Sequence, residues 1–203
     1  MRHFVYIQFL TVFLLFPALC AAQSGGWKYL TAADQHIEDG NYSKARKALR
    51  KAQKGDYGFC GNAHAEAAVN IQKAKARIFT LEDKPKEAYE ALNEVRCGLA
   101  SCQGIDYLKV EALVAAYGKA KVASELVEEL AKLPLSSLSS DYKSVPISLS
   151  FLDSPLLINP FYTDFSSGER AIMLAEQEGK RLTEKEKQLL IVQHLSLYSL
   201  LED

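Results

Sequence analysis

The stretch ADQHIEDGNYSKARKALRKA, Ala33 to Ala52, decides how this chain folds. Ala33 and Ala45 stand twelve apart, with the turn-forming Gly40-Asn41-Tyr42 between them and Leu49 and Ala52 after them. Two antiparallel helices approach closely only where small residues meet, and the connection between them needs a residue such as Gly, Asp or Pro. Larger apolar side chains one turn later then fill the space toward whatever packs next. The stretch therefore predicts a helical hairpin.

The plan recurs. Ala76 and Ala88 are twelve apart, with Asp83-Lys84-Pro85 between them and Leu92 and Val95 following. Ala112 and Ala123 are eleven apart, with Gly118 between them and Val127 and Leu130 following. Over residues 26–133 the chain resembles the tetratricopeptide family of helical repeats. The resemblance departs from the family pattern in spacing. Ala45 and Ala88 are 43 apart and Ala88 and Ala123 are 35 apart, against about 34 in the family. The first excess fits an insertion around Cys60, and the third unit is one residue short. The Pro expected to close the first unit is missing. An unrelated helical bundle is the alternative. The resemblance implies a short solenoid of antiparallel helical hairpins whose first helices line a peptide-binding groove. Carried over position by position, the groove residues are Asp34, Asn70, Lys73, Arg77 and Lys109. Asn70, Lys73 and Arg77 recur at three and four and so share a helix face.

Outward from these hairpins, the elements are predicted to be all-helical. Helices are expected over 27–38, 43–54, 62–82, 85 to about 97, 105–117 and 120–133, with Asn62 as an N-cap and Pro85 in a first turn. Residues 135–165 turn rich in Ser, Pro and aromatics and lose helical period; no stretch shows strand alternation. So many large apolar groups, from Phe151 to Phe165, suit an extended segment pinned to the array. A C-terminal helical hairpin over 166–203 is predicted to cap the stack, with capping boxes at Ser166/Glu169 and Thr183/Glu186 and Gly179 between its helices. The domain plan is 1–22 leader, 23–134 repeats, 135–165 extended segment and 166–203 cap.

Residues 1–22 read as a signal peptide: Met1-Arg2-His3, an apolar run from Phe4 to Phe16, Pro17 to end it, then the small residues Cys20-Ala21-Ala22 before Gln23. The run is short for a membrane span of about 20 residues. The reading places the protein in a periplasm or outside the cell. An oxidising compartment lets cysteines pair. With Cys20 removed, Cys60, Cys97 and Cys102 remain. Cys60–Cys97 is the expected pair, because Cys60 precedes one helix of a hairpin and Cys97 ends the other; Cys97–Cys102, within one connection, is the runner-up. Three thiols without matched His spacing do not make a zinc site.

The net charge of −1 gives no global case for a nucleic-acid binder. No catalytic or phosphate-binding motif is present, and His36, His64 and His194 have no metal-ligand spacing. Neither cofactor nor metal is expected. Lys44, Arg46, Lys47, Arg50, Lys51 and Lys54 make one helix strongly basic, either a site for an acidic partner or anionic lipid or a solvated face. The functional expectation is a non-enzymatic interaction module, a scaffold or adaptor for a peptide or protein partner, with the oligomeric state left open and a monomer favoured. A dedicated inhibitor or immunity-type protein for one folded target is the rival, and an unrecognised enzyme the second.

Overall fold

A computed structural model describes residues 25–58, 61–95, 102, 104–133, 144–159, 162–195 and 197–201. The described chain is mostly helical, with one small two-stranded sheet. It divides into two compact units, 1–74 and 75–203, with the boundary inside helix α3 (Gly61–Leu81). The leader 1–22 and the residues Cys60 and Cys97 lie outside the described residues.

In the first unit, α1 (Gly25–Glu38) and α2 (Tyr42–Ala52) form the hairpin of the opening stretch. Leu30, Ala33 and Ile37 on α1 and Ala45, Ala48, Leu49 and Ala52 on α2 are buried. The turn uses Gly40 at φ +70°, a left-handed position that favours glycine. From it the Asn41 N–H donates to His36 O at 2.8 Å, satisfying a carbonyl that α1 leaves open. The longer connection after α2 is anchored by Tyr57. Its hydroxyl donates to Ala52 O at 2.8 Å, and its ring meets Trp27 and His64 edge-on at 5.2 and 5.4 Å. The ring lies flat on Gly26, where a Cβ would come within 2.4 Å of it.

The second unit contains the end of α3, then α4 (Pro85–Asn93), α5 (Ile105–Tyr117) and α6 (Lys119–Leu130). Burial follows the expected Ala112/Ala123 pairing only in part: Ala112 is buried. Val122, Leu126 and Leu130 are fully buried, whereas Ala123 and Val127 are only half-buried. Val110, also fully buried, stands twelve before Val122, as Ala76 does before Ala88. Both members of this pair then lie 34 after their counterparts. The missing residue of the third unit disappears, and the excess spacing is confined to the connection held by Tyr57.

Other boundaries also move. Helix α3 starts at Gly61, so Asn62 sits in its first turn and is not its N-cap. Helix α4 stops at Asn93, short of Cys97, because the Val95 N–H bonds three back to Leu92 O and tightens the chain out of the helix. Residues 144–159 hold two three-residue strands, β1 (Val145–Ile147) and β2 (Leu156–Ile158), paired antiparallel with Pro146 opposite Leu157. Strands this short carry too little alternation to be read. Helix α7 (Tyr162–Gln177) begins four residues before Ser166, which therefore lies inside the helix and not at its N-cap position. Helix α8 (Glu184–Gln193) does have the expected capping box: Thr183 Oγ1 accepts from the Glu186 N–H at 3.3 Å, and the Thr183 N–H donates to Glu186 Oε2 at 2.7 Å. It ends ten residues after Thr183 and gives way to a 3-10 turn, Tyr198–Leu200. Gly168 of α7 lies on Ile191 of α8, which also packs Ile172 and Leu133. Gln188 donates to Leu130 O at 3.2 Å, tying α8 to the end of α6.

Candidate peptide-backbone clamp

Strand β2 has one edge paired with β1, which leaves its other edge of N–H and C=O groups to be satisfied. In the second unit three helix side chains supply what a third strand would. Asn93, the last residue of α4, reads two alternate positions at once: its Nδ2 donates to Pro155 O at 3.0 Å, and its Oδ1 accepts from the Leu157 N–H at 2.9 Å. Lys109, one turn into α5, donates from Nζ to Leu157 O. Asp106, in the first turn of α5, accepts from the Asn159 N–H at 2.6 Å and from Asn159 Nδ2 at 3.2 Å. Ser144 Oγ donates to Asn159 Oδ1 at 2.6 Å, which completes that amide. Leu156 and Ile158 point into the core and are fully buried.

The main-chain atoms of 155, 157 and 159 are therefore held by an amide, an ammonium and a carboxylate. On the other strand, Pro146 lies opposite Leu157, so the N–H it lacks falls on the outer edge of β1, where no third strand is needed. The tip between the strands is fixed separately. Glu125 accepts from the Ser150 N–H and hydroxyl, both at 2.7 Å. Phe151 meets the Tyr117 ring at a 40° tilt with 4.7 Å between centroids, and Lys121 lies 4.9 Å over the Phe151 ring.

No family model matches the chain, and no curated protein or solved structure does either.

The electrostatics follow from burial. Lys109 is 0 % exposed and has Asp106 3.5 Å away, three residues back on the same helix. Burial pushes the Asp106 carboxyl up from its ordinary range; the Lys109 charge and the Asn159 donors pull it back. Glu125, at the surface, is held below the ordinary carboxylate range by the Ser150 hydroxyl and N–H. Tyr89 of α4 is buried without a hydrogen bond to its hydroxyl and is pushed up to about 12, by burial first and then by Tyr117 and Glu90.

Of the five groove positions expected from sequence, Asp34, Asn70 and Lys73 fall in the first unit and Arg77 and Lys109 in the second. Asp34 and Arg77 are exposed and Asn70 and Lys73 half-buried. Lys109 differs from the other four: it is enclosed, and its ammonium already holds Leu157 of the same chain. Asn93, Asp106 and Asn159 were not singled out. The i, i+3 spacing of Asp106 and Lys109 is readable in the sequence, whereas Asn93 falls inside the helix expected over 85 to about 97 and carries no signal of its own. Cys102 is buried and disulfide-bonded, with its partner outside the described residues. His64 and His194 use ring nitrogens on local carbonyls, Gly58 O at 3.0 Å and Leu190 O at 2.7 Å.

Proposed function

We propose that this chain is an exported protein–protein interaction module, a scaffold or adaptor that holds an extended segment of a partner by its main chain. The observation that carries the reading is the grip on residues 155–159. Helix-borne Asn, Lys and Asp side chains take hold of backbone atoms that every extended peptide offers, while two alternate apolar side chains enter the core. That is a peptide-recognition geometry of the strand-adding kind, built here from side chains. The 34-residue spacing of Ala76/Ala88 and Val110/Val122 supports a tetratricopeptide-like stack, in which first helices present such groups. Asp34, Asn70, Lys73 and Arg77 are the positions proposed to meet the partner; Lys109 is committed to the chain's own segment. No described helix is long and apolar enough to cross a membrane. No catalytic step is assigned.

The test is peptide display against the purified chain, followed by binding to a Lys73→Glu/Arg77→Glu variant. Enrichment of extended peptides with alternating apolar residues, lost in the variant, is the expected result. Selected peptides that bind the variant equally well, or no enrichment at all, would count against the reading.

A further inference from the structure

Helix α2 carries a second feature that peptide recognition does not use. Its buried face is Ala45, Ala48, Leu49 and Ala52. On the opposite side, at 3.6 residues per turn, lie Lys44, Lys47, Arg50 and Lys51, continued by Lys54 in the turn that follows; all five are exposed. The arc they occupy is about 120° wide. The helix has no acidic residue. Among the described residues none of these five cations has a carboxylate partner. Lys51 has only an aromatic neighbour, its ammonium 5.4 Å over the Tyr29 ring.

Five lysines of the second unit are placed differently, although Lys86 and Lys121 there, like Lys51, lie over aromatic rings. Lys84, Lys109, Lys132, Lys180 and Lys187 each have an acid within ion-pair distance. Solvation of an outer helix face does not require that five neighbouring cations go without acids, and like charges three and four apart repel. Some of the charge complements the C-terminal end of the helix dipole, but that effect is confined to the last turn, whereas Lys44 is in the first.

We infer that this face of α2 is an electrostatic docking surface for an anionic lipid bilayer. Four of the five cations are lysines, compact charges on long flexible stems; a site shaped for one carboxylate or phosphate favours the planar fork of arginine. The half-buried Tyr29 beside Lys51 is the residue type that suits a headgroup region. None of the exposed large hydrophobics lies on α2, so the chain adsorbs through charge without inserting. Each cation near such a surface strengthens partitioning by about fivefold, and salt screens the attraction.

The experiment is flotation of the purified chain with vesicles of phosphatidylcholine containing about 30 mol % phosphatidylglycerol, beside pure phosphatidylcholine vesicles and soluble polyglutamate. Binding to the anionic vesicles alone is expected, released as salt rises from about 0.05 to 0.5 M. Lys47→Gln/Lys51→Gln should weaken partitioning about thirtyfold, with an unchanged circular dichroism spectrum because both side chains are fully at the surface. Lys180→Gln/Lys185→Gln, with the same charge change in the other unit, should leave it nearly unaltered. Equal loss in both pairs of variants would overturn the assignment of the surface to α2. Binding to polyglutamate without binding to vesicles would overturn the lipid in favour of an acidic protein partner, and no binding to anionic vesicles at low salt would overturn the inference altogether.

Discussion

Lys109→Met isolates the element on which the clamp depends. The two side chains have similar length and volume, so packing is nearly conserved. What is lost is the ammonium that holds Leu157 O and faces Asp106 at 3.5 Å. Asp106 is left as a buried carboxylate with only the Asn159 donors, and Leu157 O is left without its bond. Breaking one side of a buried pair destabilises by about 3–5 kcal/mol. Asp106 softens this by taking up a proton, since burial already raises its pKa. A loss of about 3 kcal/mol at neutral pH is therefore expected, or about 10 °C in Tm at this chain length. The sign with pH follows from the same carboxyl. A carboxyl whose folded pKa is raised binds its proton more tightly in the folded state, so its contribution favours folding below the ordinary carboxylate range and is lost as pH rises through the raised value. In Lys109→Met that raised value goes higher still. The variant should lose less stability at about pH 4.5 than at pH 7.5. Urea denaturation followed by circular dichroism, at both pH values, measures this. Asp106→Asn alone should cost a similar amount by stranding the buried ammonium, and the double variant should fall short of the sum by about 2 kcal/mol. Additivity within about 0.5 kcal/mol, or a Lys109→Met protein as stable as the parent, would refute the account of the clamp.

The corrected third repeat predicts that Leu126→Ala destabilises by about 2–5 kcal/mol, while Ala123→Leu, at a half-buried position, is tolerated within about 1 kcal/mol; thermal melts of the pair distinguish the two registers. Gly168→Ala puts a Cβ 2.7 Å from Ile191 Cα and should cost about 1–3 kcal/mol, read in the same assay. The Glu125–Ser150 contact has its carboxyl pKa lowered in the folded state, so its contribution is full above the ordinary carboxylate range and is lost as pH falls through the lowered value. Hydrogen-exchange protection at Ser150 should accordingly persist through the ordinary carboxylate range and decline only as pH falls through the lowered value, after the raised Asp106 carboxyl that holds the Asn159 N–H has met its proton. Peptide mapping of the unreduced chain should find Cys102 in a disulfide with Cys60 or Cys97, and a free Cys102 thiol would refute this. With residues 1–22 removed, a Cys102 bond also excludes an intramolecular Cys60–Cys97 pair.

The helices were legible because their signals are local. Small residues at twelve-residue spacing, Gly40, Pro85, Gly118 and the Thr183/Glu186 box each act within a turn or two of themselves. The register of the third hairpin is less legible, because small residues mark close packing only where alanine fills the position. Val110 and Val122 fill the positions that alanines fill elsewhere, and a β-branched residue on a helix announces only that it is apolar. Spacing, at 34, identified the position; residue type misled. Strands of three residues fall below the length at which alternation can be read, and Pro146 within β1 argued further against a strand.

The clamp was illegible for a different reason. Asp106 and Asn93 are polar residues at helix ends, where the ordinary role is to serve the helix itself. Here both residues also reach beyond their own helices, to a segment 53 to 64 residues away. Their meaning depends on which backbone groups need partners, and this is fixed only once β2 pairs with β1. Leu156 and Ile158 turn one way into the core, Pro146 leaves one sheet edge without a donor, and the opposite edge needs acceptors and donors at 155, 157 and 159. Asn93, Lys109 and Asp106 are the groups that the helices bring to that edge. The extended segment was readable as apolar and therefore docked, but the polar residues that hold it take their role from the sheet.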